Sequence, residues 1–293
     1  MSATLPPPAP ASGSEPKLKI YFLPNLLTAG NLLCGFVALT KIVEADLTPD
    51  PLTGMVTWWP IKFALACILL ACIFDLFDGR VARMGGHESP FGREFDSLAD
   101  LVSFGIAPAF LVHRVVLRHA LPDEYAEFGW FIASIYLLCG AFRLARFNCL
   151  SAMNLPGAGK DFLGFPIPSA AGLVASLTLL IIKLNVTDKE KDLGHWGYLL
   201  PVVLIFLSAM MVSEVRYPSF KSLGLRSTTT FLKFILAAVF VGALLVLREK
   251  ILYYVLPLFF TAYLVYGFVR PRLSRAWRKE IEEEDDEEPE AAS

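Results

Sequence analysis

The stretch IKFALACILLACIFDLFDGRVARMGGHESPFGREFDSLADLVSFGIAPAFLVHRVVL, Ile61 to Leu117, decides the fold. An apolar run from Phe63 to Phe74 meets two aspartates, Asp75 and Asp78. A polar, glycine-containing turn follows. A second apolar run then opens around two further aspartates, Asp96 and Asp100. Apolar runs of this kind are helices in a bilayer, because lipid offers the backbone no hydrogen-bond partners. The segment predicts a helical hairpin with spans at 61–80 and 97–117. Asp75 and Asp78 are three residues apart, and Asp96 and Asp100 are four apart, so each pair shares a helix face. The 17 residues between Asp78 and Asp96 form a turn, and antiparallel helices then bring the two pairs together at one membrane interface.

Outward from this hairpin, similar apolar blocks recur along the chain. Eight spans are expected, near 23–43, 61–80, 97–117, 128–147, 165–186, 196–213, 230–247 and 250–269. Their spacing leaves no room for a second folded domain. The predicted class is all-α, a polytopic membrane helix bundle of about eight transmembrane helices. Composition agrees: 55% of the 293 residues are hydrophobic, 18% are charged, and the mean hydropathy is +0.54. A soluble globular domain carries about 25% charged residues. Residues 1–18 read as a disordered proline-rich leader, 19–270 as the membrane domain, and 271–293 as a basic then acidic tail. The five cysteines lie in or beside apolar blocks without metal-binding spacing, and read as reduced packing residues. Gly30, Gly35, Gly105 and Gly140 read as helix-packing positions.

The formal net charge of -2 conceals a basic body, because nine acids crowd between Glu280 and Glu290. With a cytoplasmic N-terminus and eight spans, 17 of the 26 basic residues fall on the cytoplasmic side. That bias predicts a multi-pass protein of the cell (inner) membrane, with both termini and the 79–95 turn facing the cytoplasm. No feature suggests nucleic acid as a partner.

Ionisable groups within membrane helices are costly and demand a reason. Four carboxylates gathered in one place repel each other unless a cation joins them. An all-oxygen donor set suits Mg²⁺ or Mn²⁺, and such ions often clamp phosphate oxygens. Gly79 and Gly92 allow close backbone approach, Ala82 keeps its helix face small, and Arg83 is a planar cation suited to phosphate. On spacing alone, a carboxylate-based metal or proton transporter stays open as a second class.

Residues 75–100 fit D-x2-D-G-x2-A-R-x8-G-x3-D-x3-D at all eight fixed positions. The pattern resembles the signature of the CDP-alcohol phosphatidyltransferase family. PNLLTAGNLLCGF from Pro24, FGREFDSLADLVSFGIAPA through Ala109, FRLARFN (142–148) and FLGFPIPSAAG (162–172) are similar to the family's phosphatidylserine synthase branch. The likeness covers most of residues 20–175. It implies transfer of a phosphatidyl group from CDP-diacylglycerol to L-serine by a metal-dependent membrane enzyme, and a homodimer within membrane lipid. Other acceptors, namely glycerol 3-phosphate, inositol phosphate or choline, remain open within the family.

Carried onto this chain, the resemblance makes Asp75, Asp78, Asp96 and Asp100 metal ligands, with Asp100 also the general base. Gly79, Ala82 and Gly92 make room for the nucleotide, and Arg83 pairs with phosphate or braces the aspartates. Asn25 and Thr28 at the start of the first span can reach the nucleotide, or equally cap the helix. One of Arg143 and Arg146, which lie about one turn apart, is expected with Asn148 nearby to form part of the serine-binding pocket; lipid-phosphate snorkelling is the alternative for the arginines. Lys160 and the loop NLPGAGKDFLGFP could close over the site by position alone. His87 reads as an exposed loop residue.

Overall fold

A computed structural model describes residues 21–48, 50–52, 56–84, 89–117, 128–153, 161–187, 199–218, 253–267 and 269. The leader, the expected span at 230–247, the acidic tail, His87 and Lys160 lie outside the described residues. Seven apolar helices account for the other expected spans. They are α1 (Phe22–Glu44), α2 (Trp59–Met84), α3 (Pro90–Leu117), α4 (Gly129–Ala152), α5 (Ile167–Thr187), α6 (Leu199–Val212) and α7 (Tyr253–Gly267). The first five are long and apolar enough to cross a membrane; α6 and α7 are shorter. The protein is thus a polytopic helical membrane bundle, as its hydropathy predicts. One short antiparallel ribbon supplements the helices, β1 (Asp161–Leu163) against β2 (Arg216–Pro218), with Phe162 opposite Tyr217.

Helix α1 has a small or polar inner stripe and a greasy outer one. On α1 the buried residues are Pro24, Thr28, Asn31, Gly35, Ala38 and Ile42, spaced four, three, four, three and four apart. That is one helix face. Phe22, Leu26, Leu33, Phe36 and Val43 are exposed, where acyl chains are the natural solvent. Small residues let membrane helices approach closely. Gly35 shows why: a Cβ there would sit 2.7 Å from the Ser103 Cα and overlap the Ser103 hydroxyl. Gly140 does the same for Ile167, whose Cδ1 would lie 2.7 Å from an added Cβ. On α2, Ile61, Ala64, Leu65, Ile68 and Ala71 form the buried stripe. The stripe continues into Asp75 and Asp78, so the packing register that buries the apolar half also turns the aspartates inward.

Helix α3 begins at Pro90, seven residues earlier than the apolar run suggests. The Ser89 side chain accepts a 3.0 Å hydrogen bond from the Gly92 amide, and proline sits at the first helical position. These are strong start signals that a hydropathy window overlooks. Asp96 and Asp100 therefore stand in the second and third turns of a formed helix rather than at its entrance. Directly after Asp100 the helix widens into a π segment, Leu101–Ile106. The Tyr136 hydroxyl donates to the Phe104 carbonyl there, at 3.1 Å, and the Ser103 hydroxyl donates to the Asn31 carbonyl at 2.8 Å. Wide turns of this type occur mostly as local insertions and are frequent at functional sites.

Candidate active site

Three helices build the site. Packing of α1 along α2, and of α3 against α1, brings Thr28, Asn31, Asp75, Asp78, Asp96 and Asp100 into one neighbourhood although they span 73 positions of sequence. Asp75, Asp78 and Asp96 converge: one carboxylate oxygen of each lies within 4.8 Å of one from each of the others. Asp78 is buried, and Asp75 and Asp96 are half-buried. Asp100 is also buried but stands outside this trio, one helical turn further along α3 from Asp96. The hairpin's two aspartate pairs do meet, in a three-plus-one arrangement.

Helix α1 holds two of the carboxylates directly. The Thr28 hydroxyl lies 3.0 Å from Asp78 Oδ2, to which it donates, and 3.2 Å from the Pro24 carbonyl. The Asn31 amide nitrogen donates to Asp100 Oδ1 at 3.0 Å. Asn25, at the mouth of the same face, has a buried Nδ2 with no hydrogen-bond partner among the described residues. A Cβ on Gly92 would come within 3.4 Å of Asn25 Oδ1 and 3.3 Å of Ser89 Oγ, so the glycine keeps this corner open. Gly79 and Ala82 are half-buried on α2 beyond Asp78. The backbone of Arg83 is in α2, and its side chain lies outside the described residues.

The site fits a divalent cation on its own chemistry. Two unit charges ~4 Å apart repel by roughly 4 kcal/mol at an effective dielectric of ~20. Three convergent carboxylates with a fourth close by are therefore strained without a counter-charge. Their donor set is all oxygen, which matches hard cations.

On α4 the two arginines differ in a way their spacing conceals. Arg143 is only 6% exposed and feels the charges of Asp100 and Asp75. Arg146 turns elsewhere. Its guanidinium donates to four backbone carbonyls, those of Val212 (2.9 Å), Leu163 (3.1 Å), Met211 (3.2 Å) and Ser213 (3.2 Å). It thereby caps the C-terminal end of α6 and ties that end to β1, next to Gly164, whose φ of 77° only glycine adopts comfortably. Asn148 bridges α4 to α3, donating to Ser97 Oγ at 3.0 Å and to Glu94 Oε2 at 3.3 Å. Arg143 is thus buried within electrostatic range of Asp100 and Asp75, while Arg146 and Asn148 join helices.

Sequence reading missed Asn31. Its signal was present: Asn25, Thr28 and Asn31 recur every three residues in an otherwise apolar span, which puts three polar groups on nearly one face.

Fold and site together define a membrane-embedded helical protein with a buried, metal-competent carboxylate cluster where three helices meet. A model of the CDP-alcohol phosphatidyltransferase family matches residues 21–211, and the chain belongs to that family. Among curated relatives, a CDP-diacylglycerol–serine O-phosphatidyltransferase of Helicobacter pylori J99 is 31% identical over 253 residues, covering 86% of this chain and 91% of the relative. One of the same name from Bacillus subtilis 168 is 32% identical over 200 residues, covering 68% and 92%. An archaetidylserine synthase of Methanothermobacter thermautotrophicus is 31% identical over 206 residues, covering 69% and 72%.

Proposed function

We propose that this chain transfers the phosphatidyl group of CDP-diacylglycerol to the hydroxyl of L-serine, giving phosphatidylserine and CMP. The observation that carries the reading is the three-plus-one arrangement of aspartates on α2 and α3, within the family signature. Relatives that align over most of their length bear the serine-transferase name.

Asp75, Asp78 and Asp96 would hold the divalent cation, Mg²⁺ or Mn²⁺. When bound, it neutralises charge on the diphosphate and on the departing CMP. Everything else falls to the chain. Asn25 Nδ2, a buried donor without an acceptor among the described residues, is suited to a nucleotide oxygen. Gly79, Ala82 and Gly92 leave room for the cytidine, Thr28 steadies Asp78, and Arg83 takes a phosphate oxygen. The serine hydroxyl is a weak nucleophile with a pKa far above 7, so it needs a base within reach. Asp100 takes its proton. The serine oxygen then bonds to the lipid-side phosphorus, the bond from that phosphorus to the CMP oxygen breaks, and CMP carries away the electron pair. Separation of Asp100 from the trio supports this division of labour. A carboxylate wholly committed to a cation is a poor base.

Arg143 is the residue best suited to the serine carboxylate. It is the cation that α4 buries toward Asp100, and arginine grips carboxylate bidentately. Arg146 and Asn148 would act indirectly, by fixing α4 against α6, β1 and α3.

The protein would lie in the cell membrane with this site at the cytoplasmic face, where the excess of Lys and Arg in short loops predicts it. A homodimer through membrane helices is the expected assembly. A second reading concerns only the donor: an archaetidylserine synthase shares the same 31% identity over a shorter alignment, so CDP-archaeol belongs in the substrate panel. The test is metal-dependent CMP release from each CDP-lipid on addition of serine, glycerol 3-phosphate, inositol phosphate or choline. CMP release with serine alone is expected. Release with another alcohol and none with serine overturns the acceptor.

A further inference from the structure

We infer that Asn31 is a positioning residue for the transfer step, one that fixes which oxygen of Asp100 meets the acceptor hydroxyl. This inference rests on Asp100 being the base. Asn31 is fully buried in the middle of α1, where a polar side chain needs a reason. Its amide nitrogen donates to Asp100 Oδ1 at 3.0 Å. A carboxylate can only accept, so the amide must present nitrogen to it, and the orientation of Asn31 follows from the charge of its partner. With Oδ1 already accepting this hydrogen bond, Oδ2 is the oxygen with more acceptor capacity for the incoming proton.

A second tie makes this hydrogen bond a fixed one. The backbone carbonyl of Asn31 accepts from the Ser103 hydroxyl at 2.8 Å, in the widened turn that begins one residue after Asp100. Gly35, one turn along α1, lets the Ser103 backbone come this near. The same residue therefore grips α3 twice, through its side chain at Asp100 and through its main chain three residues on. The widened turn sets how the turn bearing Asp96 and Asp100 is rotated relative to the rest of α3, and α1 is the template against which that rotation is set. Thr28 plays the neighbouring part for Asp78 on α2. Asn31 reaches the carboxylate outside the metal-competent trio.

The test compares full-length purified enzyme with Asn31→Leu, which keeps the volume and removes the donor, and with Asn31→Ser, a small variant that falls short of Asp100. Rates are normalised to sites that bind CDP-diacylglycerol, so misfolded protein does not count. Asp100→Asn is run alongside. Displacing a reacting group by ~1 Å can cost about 100-fold in rate. The expected result is a kcat at least tenfold lower in both Asn31 variants, KM for CDP-diacylglycerol and serine within about threefold, and a solvent deuterium isotope effect larger than in the parent as proton transfer becomes limiting. If only one variant folds, it decides. A kcat within threefold of the parent, or a fall in kcat with no rise in the isotope effect, overturns the inference while leaving the Asp100 reading intact if Asp100→Asn is dead. An active Asp100→Asn overturns both.

Discussion

Thr28 and Asp78, fifty positions apart, are joined by a 3.0 Å hydrogen bond between two membrane helices. The hydroxyl is the only polar atom on that side chain, and it serves a carboxylate of the trio. Thr28→Val keeps the shape and deletes the bond. A hydrogen bond to a charged group contributes about 1.5–3 kcal/mol. Titration of Mg²⁺ or Mn²⁺ against CDP-diacylglycerol turnover should show the half-saturating metal concentration raised about tenfold or more. Little change at saturating metal is expected.

Asp100→Asn should be nearly inactive with serine while still binding CDP-diacylglycerol. The trio is untouched, and an amide cannot accept the hydroxyl proton. Asp78→Ala should weaken metal and nucleotide together. Equilibrium binding of the CDP-lipid beside a turnover assay separates these outcomes. Serine incorporation above a few per cent of the parent in Asp100→Asn contradicts the base assignment.

The two arginines of α4 give opposite signatures. Arg143→Lys should raise the serine KM at least tenfold, because an ammonium cannot reproduce the bidentate grip on a carboxylate. Arg146→Lys should leave the serine KM nearly unchanged and lower the thermal midpoint, since one ammonium cannot satisfy four carbonyls on two segments. Equal serine KM in parent and Arg143→Lys would remove Arg143 from the acceptor pocket.

Gly35→Ala tests the α1–α3 contact. The added methyl would collide with the Ser103 side chain and backbone, and overpacking of this kind typically costs about 1–3 kcal/mol. A lower thermal midpoint is expected, with a fall in kcat because the Ser103–Asn31 bond stretches. Gly30→Ala first meets the Phe74 ring, at 3.2 Å, and should be milder.

The hairpin and its four aspartates were legible because membrane burial makes charge conspicuous and helical spacing makes pairs. The start of α3 was not read, since Ser89 and Pro90 precede residues too polar for a hydropathy window. The widened turn after Asp100 was invisible: nothing in LVSFGI departs from an ordinary apolar helix, and the turn is set by Ser103, Tyr136 and Gly35 meeting across helices. Arg143 and Arg146 looked interchangeable at three residues apart. That spacing leaves them about 60° apart around the axis, enough to send one to the carboxylates and the other to the end of α6. Where α6 ends was not readable from α4. Asn31 was missed for another reason: it lies deep in the first span, away from the interface where Asn25 and Thr28 stand, although its spacing from them marked it.

The most direct measurement is CMP release by the purified protein from CDP-diacylglycerol, with and without L-serine and with and without divalent metal. The account predicts CMP and phosphatidylserine in equal amounts, dependent on both serine and metal, abolished by chelation and restored by Mg²⁺ or Mn²⁺. Serine-independent CMP release, or turnover that survives complete metal removal, would contradict it.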